Sequence, residues 1–267
     1  MNPSQQYKRG SILAPGNVFL LFVAACLTCR VSLSANEQAI SARSGPSTND
    51  AIAFDAFDYS LGALHDADGG FGWKQAWRSS RAAAPSVVGK LSKTAQGSPM
   101  AAQRSLLIQG TGARNNPLRR ELREPLSQPR VFVRFDLHYR EEPSADSSKV
   151  DPEFVVLWLD RLDGGDRSTH ASNIPNIGLH LADRGPKKGK NVFMVRVGPA
   201  KTAWSKIEVQ PGRTYEIVGR LTKSAKGVRA DYDRVDLWVD PSLADLTSPD
   251  ATVSGVQSIS RIQWIGF

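Results

Sequence analysis

The segment Val131–Arg140, VFVRFDLHYR, constrains the chain more than any other. Val131, Val133, Phe135, Leu137 and Tyr139 alternate with Phe132, Arg134, Asp136, His138 and Arg140. A period of two sustained over that length is a half-buried β-strand with one apolar face; wound into a helix, the same residues would scatter around the axis. A strand of this kind needs paired neighbours and a second layer over its apolar face. Glu153–Asp160, EFVVLWLD, is apolar almost throughout, as expected of a strand covered on both faces. Shorter runs follow the same rule: Ser105–Ile108, Ile177–Leu181, Asn191–Val197, Ile207–Val209, Tyr215–Leu221, Val235–Val239 and Ile259–Ile265. Gly, Pro, Asp, Asn and Ser separate them, and no sustained helical periodicity intervenes. About ten strands without a crossover helix predict an all-β fold, an antiparallel two-sheet β-sandwich.

The N-terminus has a different character. Residues 1–35 carry Lys8, Arg9 and Arg30 and no acid, and Val18–Ala25 is an unbroken apolar run. A basic start followed by an apolar run well short of the roughly 20 residues that span a bilayer is the layout of a signal peptide. The expectation is an extracytoplasmic protein: secreted, periplasmic or at the cell surface. Two ends of the signal are open. Cleavage after Ala35 follows the tripeptide Leu33-Ser34-Ala35, whereas Val23-Ala24-Ala25-Cys26 resembles a lipoprotein lipobox that would make Cys26 the lipid attachment site and give a membrane link through that anchor alone. Both cysteines, Cys26 and Cys29, fall in this segment, so their spacing is not read as a redox or zinc motif, and the rest of the chain forms no disulfide. Residues 36–51 contain almost no large apolar side chain and read as a flexible tether; residues 52–267 are the sandwich domain.

Of the formal net charge of +8, three units belong to the leader. Within the remainder the excess is local: residues 74–134 hold twelve cations against Glu121 and Glu124. Such a segment attracts polyanions such as acidic polysaccharide, anionic lipid surfaces or nucleic acid, and export makes nucleic acid the poorest fit. Arg119, Arg120 and Arg123 form the closest group and are the candidate anion ligands, because guanidinium forks match carboxylate and sulfate oxygens in pairs. The same charges also read as solvated loop residues.

The stretch FDAFDYSLGALHDADGGFGWKQAW, residues 54–77, resembles the opening of concanavalin A-like (laminin G-like) jelly-roll domains of exported bacterial proteins. The resemblance continues in order through VFVRFDLHYR, EFVVLWLDRLDGGD, NIGLHLAD, VFMVRVG, PGRTYEIVGRL and DRVDLWVDPSLADLTSPDA. It covers residues 52–267 and implies a jelly-roll sandwich, a fold that hosts lectins, glycanases, lyases and adhesion modules. Gly69, Gly70 and Gly72 are expected to form a tight loop, with Trp73 and Trp77 read either as core or lid at one end of the sandwich or as an exposed stacking platform. In VDLWVDP, Val235, Leu237 and Val239 share one face and place Trp238 with Asp236 and Asp240 on the other, where Trp238 is a candidate ligand platform.

Chemistry is sparse. Laminarinase-type enzymes of the resembled fold carry E-x-D-x-x-E on one strand, and no segment here has it. His65, His138, His170 and His180 show no H-E-x-x-H spacing. Arg134, His138 and Arg140 on one strand face form the catalytic alternative, a lyase-like set in which cations neutralise a uronate and His138 removes the neighbouring proton. Asp66-Ala67-Asp68 and the loop with Asp163 and Asp166 gather oxygen ligands suited to Ca²⁺, the second favoured because laminin G-like domains hold calcium at the rim. The leading expectation is a non-enzymatic carbohydrate-binding domain whose partner is a polysaccharide or glycoconjugate, anionic if the basic segment takes part. The alternatives are a polysaccharide-cleaving enzyme and a passive envelope adhesion module.

Overall fold

A computed structural model describes residues 18–20, 25–29, 51–79, 86–89, 104–109, 118–139, 154–164, 171, 173–182, 185, 187–197, 201–225, 230–242, 245–255 and 259–267. The described chain is all-β, with a single 3-10 turn at Asp245–Thr247. Its strands are β1 (Val18–Leu20), β2 (Ala25–Cys29), β3 (Ala51–Asp55), β4 (Gly62–Ala63), β5 (Ser86–Gly89), β6 (Arg104–Gln109), β7 (Arg119–Leu126) and β8 (Arg130–His138). They continue with β9 (Phe154–Asp160), β10 (Pro175–Leu181), β11 (Asn191–Val197), β12 (Thr202–Glu208), β13 (Thr214–Thr222), β14 (Arg234–Val239), β15 (Ala251–Ser254) and β16 (Ile262–Gly266).

Two six-stranded antiparallel sheets carry the fold. The first has the order β12-β11-β10-β9-β16-β7 and the second β15-β14-β13-β8-β2-β3; a small third sheet runs β1-β6-β5-β4. Alternation decides which residues lie between the large sheets. Val155, Leu157 and Leu159 of β9, Ile177 and Leu179 of β10, and Phe193, Val195 and Val197 of β11 face Val131, Val133, Phe135 and Leu137 of β8, Tyr215, Ile217 and Leu221 of β13, and Val235, Leu237 and Val239 of β14. Removing each such side chain from water contributes about 1.5–3 kcal/mol before entropy is charged against it. Phe193 meets Tyr215 edge-on at 4.8 Å, and Phe135 meets Phe267 at 6.3 Å, so rings from opposite sheets interlock.

Gly219 marks the tightest approach. A Cβ there would overlap Ile177 Cδ1 and sit 2.9 Å from Val133 Cγ1, so the isoleucine of one sheet fills the place a side chain would take on the other. Gly219→Ala is expected to lower stability by about 1–3 kcal/mol through overpacking. Adding Ile177→Val removes the opposing methyl and should recover part of that loss; urea midpoints of the single and double variants check it, and strictly additive losses would refute the contact.

The glycine-rich stretch forms a strap along one side of the sandwich. Phe71 bridges to Phe54 of β3, while Trp73 and Arg78 bridge to Leu122 and Arg119 of β7, so one segment joins the edge of each large sheet. Beneath it lies a buried charge cluster. Arg120 donates from Nη1 to Asp55 Oδ2 at 2.6 Å and to the Gly69 carbonyl at 2.9 Å, from Nε to the Gln75 carbonyl at 2.7 Å, and from Nη2 to Asp68 Oδ1. Asp55 also accepts from the Phe57 N–H, the Tyr59 hydroxyl and Trp77 Nε1, and the guanidinium lies 5.1 and 5.6 Å from the rings of Trp73 and Trp77. Both tryptophans are therefore interior, as one of the two sequence readings had them.

Candidate functional site

The outer face of the first sheet carries polar and aromatic side chains where a plain solvent face would carry Lys, Glu and Thr. Antiparallel register aligns them. Asn176 of β10 lies opposite Arg196 of β11 and Trp158 of β9, Arg196 opposite Thr202 of β12, Trp158 opposite Gly266 of β16, and Gly266 opposite Arg119 of β7. One row, Thr202–Arg196–Asn176–Trp158–Gly266–Arg119, thus crosses all six strands, spanning about 24 Å at roughly 4.8 Å per strand. The next row sets Trp204 beside Met194, Gly178 and Val156, with His180 5.9 Å from the Trp204 ring.

Local sequence explains the placement. In PNIGLHL and NVFMVRV, Ile177, Leu179, Phe193, Val195 and Val197 take the core, which turns Asn176, Gly178, His180, Val192, Met194 and Arg196 outward. Gly266 has a packing role: a Cβ there would overlap Cζ2 and Cε2 of Trp158, so the indole lies flat across β16. Asn176 is fully buried and donates to the Ile174 carbonyl at 2.9 Å. Burial also pushes the Arg196 guanidinium down to about 10. Trp204 and His180 remain half-exposed at the β12 side. The indole N–H groups of Trp158 and Trp204 are buried and have no acceptor among the described residues.

The outer face of the second sheet holds two of the residues singled out in the sequence. Arg134 pairs with Glu216 at 2.7 Å, and His138 Nδ1 is 2.9 Å from Thr214 Oγ1. Glu216 lies opposite Asp136 in the ladder. Burial raises the Glu216 carboxyl, Asp136 and Asp240 add to the rise, and Arg134 opposes it. The lyase-like set is therefore altered: the Arg134 charge is taken by a carboxylate with a second carboxylate beside it, an environment that repels a uronate. Arg140 lies outside the described residues. Trp238 shares this face with Asp236, as its alternation implied, but it is buried beneath Arg220, whose guanidinium carbon is 4.8 Å from the ring and whose Nε and Nη2 bind Asp236 at 3.0 and 2.7 Å. A ligand platform at Trp238 is thus corrected to a packed ring under an ion pair.

The arginine group is split by strand parity. Arg120 points inward to the strap cluster and is no surface ligand, which corrects that expectation; Arg119 points outward and pairs with Asp163; Arg123 is exposed. Lys74, Arg78, Arg104, Arg119, Arg120 and Arg134 each have a carboxylate within ion-pair range, so much of the local charge excess is neutralised inside the fold. For the calcium loops, Asp163 is engaged by Arg119 and Arg78, Asp68 by Arg120, and Asp166 lies outside the described residues. Among the described residues no cluster of three or more His, Cys, Asp or Glu is arranged to hold a metal ion. Cys26 is in β2, opposite Arg134 on one side and Phe54 on the other.

Fold and face together define an all-β sandwich whose first sheet carries a largely buried outer row of aromatic, amide and guanidinium side chains, with Trp204 and His180 half-exposed beside it. No protein-family model, curated protein or solved structure matches the chain.

Proposed function

We propose that the protein is a non-enzymatic carbohydrate-binding sandwich acting at or outside the cell surface, and that the outer face of the first sheet is its saccharide platform. The observation that carries this reading is the half-exposed pair Trp204 and His180, their rings 5.9 Å apart on the outer face of the first sheet. A sugar ring offers an apolar C–H face and a rim of hydroxyls; the half-exposed indole of Trp204 suits the first, and the half-exposed His180 and Thr202 beside it suit the second. The resemblance of the 54–77 stretch and of the later strands to exported concanavalin A-like domains supports both the ligand class and the compartment.

Calorimetric titration of the full chain against neutral and acidic polysaccharides tests the reading. Trp204→Ala is expected to weaken binding at least about tenfold, or 1.4 kcal/mol, with the melting midpoint unchanged because Trp204 lies outside the core cluster. Absence of binding to any polymer would leave the adhesion module. Appearance of new reducing ends or unsaturated products from alginate or pectin would favour the enzyme, and the Asp136–Glu216 pair would then be the place to mutate.

A further inference from the structure

In the second sheet β2 lies between two strands that are each fixed by contacts made elsewhere, so that without it they would border a gap one strand wide. One wall is β8, paired along its whole length with β13 from Thr214↔His138 to Thr222↔Arg130. The other is β3, which the strap holds in place: Asp55 is locked to Arg120, Trp73 Nε1 donates to the Phe54 carbonyl at 3.0 Å, and Phe54 and Phe71 exchange two backbone hydrogen bonds of 3.0 Å. Neither set of contacts involves the strand between them. That strand is β2, with Cys26↔Arg134, Leu27↔Val133, Thr28↔Phe132 and Cys29↔Val131 on one side and Ala25↔Asp55, Cys26↔Phe54, Leu27↔Ala53 and Thr28↔Ala51 on the other.

The chemistry of an occupant follows from the walls. Both edges present unpaired backbone N–H and C=O groups if the gap is empty, so the occupant must be extended. Its central position lies between Val133 and Ala53, both wholly buried, and so must be apolar. Residues 36–50, NEQAISARSGPSTND, with a Gly-Pro pair and few large apolar residues, do not meet this description. Residues 25–29, ACLTC, do.

We propose that the gap between β3 and β8 is a strand-accepting site for an extended segment with an apolar centre, and that residues 25–29 are its resident strand in the folded protein. The segment that reads as an export leader then has two competing fates, processing or the sheet. Cleavage after Ala35 removes the resident strand, and a lipid-bearing N-terminus at Cys26 would place the acylated residue at the first pairing with β8, Cys26↔Arg134.

The chain supplies its own probe, because its only two cysteines, Cys26 and Cys29, both lie on β2. Native full-length protein is treated with N-ethylmaleimide and the alkylation of each thiol is followed by peptide mass spectrometry. Cys29, in register with the core residue Val131, is expected to react at least about a hundredfold more slowly than in concentrated urea, since reaction must await local opening of the sheet. Reaction of both thiols at the unfolded rate overturns the proposal. As a second measurement, Leu27→Pro is expected to lower the melting midpoint by at least about 4 °C through loss of ladder bonds, whereas Ile40→Pro leaves it in place. Equal midpoints for the two variants overturn it as well.

Discussion

An Arg120→Met chain is expected to lose about 3–5 kcal/mol of stability, which for a domain of this size is a fall of roughly 6–20 °C in melting midpoint. The guanidinium makes five directed contacts, to Asp55, Asp68, the Tyr59 hydroxyl and the Gln75 and Gly69 carbonyls, and no water replaces it because the side chain is wholly buried. Methionine fills much of the volume but leaves Asp55 as a buried carboxylate without a counter-charge. Lysine is expected to rescue little, since a single ammonium cannot span acceptors on opposite sides of the strap. Asp55→Asn combined with Arg120→Met should cost clearly less than the sum of the two single changes, because the double variant buries no unpaired charge.

The pH dependence gives the same prediction a second handle. Burial pushes the Asp55 carboxyl above its ordinary range, against the pull of the Tyr59, Phe57 and Trp77 donors and of Arg120. Loss of Arg120 removes one of the groups that pull it down, so the folded-state value in the variant rises further. A carboxyl raised in the folded state costs stability above that value and ceases to do so once pH falls below the unfolded value near 3.8. The deficit of Arg120→Met relative to the parent should therefore shrink as pH is lowered from 7 toward 4. A deficit that stays constant across that range would mean that Asp55 is not the group left exposed by the substitution.

The cluster also shows which parts of the fold could be read from residues alone. The β8 alternation, the outward place of Trp238 beside Asp236 and the turn-forming glycines follow from period and from missing side chains, which are local properties. β7 lacks such a signal. Its sequence RRELREPL is charged at five of its eight positions, and only the shared parity of Leu118, Arg120 and Leu122 hints that the middle one of three faces inward. The row on the first sheet was half legible. Each of Trp158, Asn176, His180 and Arg196 alternates with core residues in its own strand, but their alignment depends on β9, β10 and β11 pairing in register, and β16, from the far end of the chain, enters beside β9. Partnerships between distant strands are set by how layers close, and a pattern of period two is the same whichever neighbour it meets. For the same reason Trp238 had the right face and the wrong environment: nothing within VDLWVDP announces that Arg220 from the neighbouring strand lies over the ring.

Gly72→Ala is expected to be as damaging as the loss of Arg120, by a different route. Gly72 has φ +81°, where an L side chain is strained, and a Cβ there would overlap the Ile52 carbonyl oxygen and stand 2.5 Å from Ala53 Cα. These are backbone atoms of β3, and β3 cannot retreat because Asp55 is locked to Arg120. The strap must lift instead, giving up the Arg123 N–H bond to the Gly72 carbonyl at 2.8 Å and the Trp73 bridge to Leu122. Backbone strain of about 1–2 kcal/mol and a packing clash of about 1–3 kcal/mol set the combined loss near 2–5 kcal/mol. Gly212 separates the two contributions, since its φ is +73° but nothing lies within 4 Å of a Cβ built there. Gly212→Ala should then show the strain alone, about 1–2 kcal/mol. Chemical denaturation of the two variants decides the matter: equal losses would mean that the approach of the strap to β3 carries no energy, and that the glycine at 72 serves only its own backbone angle.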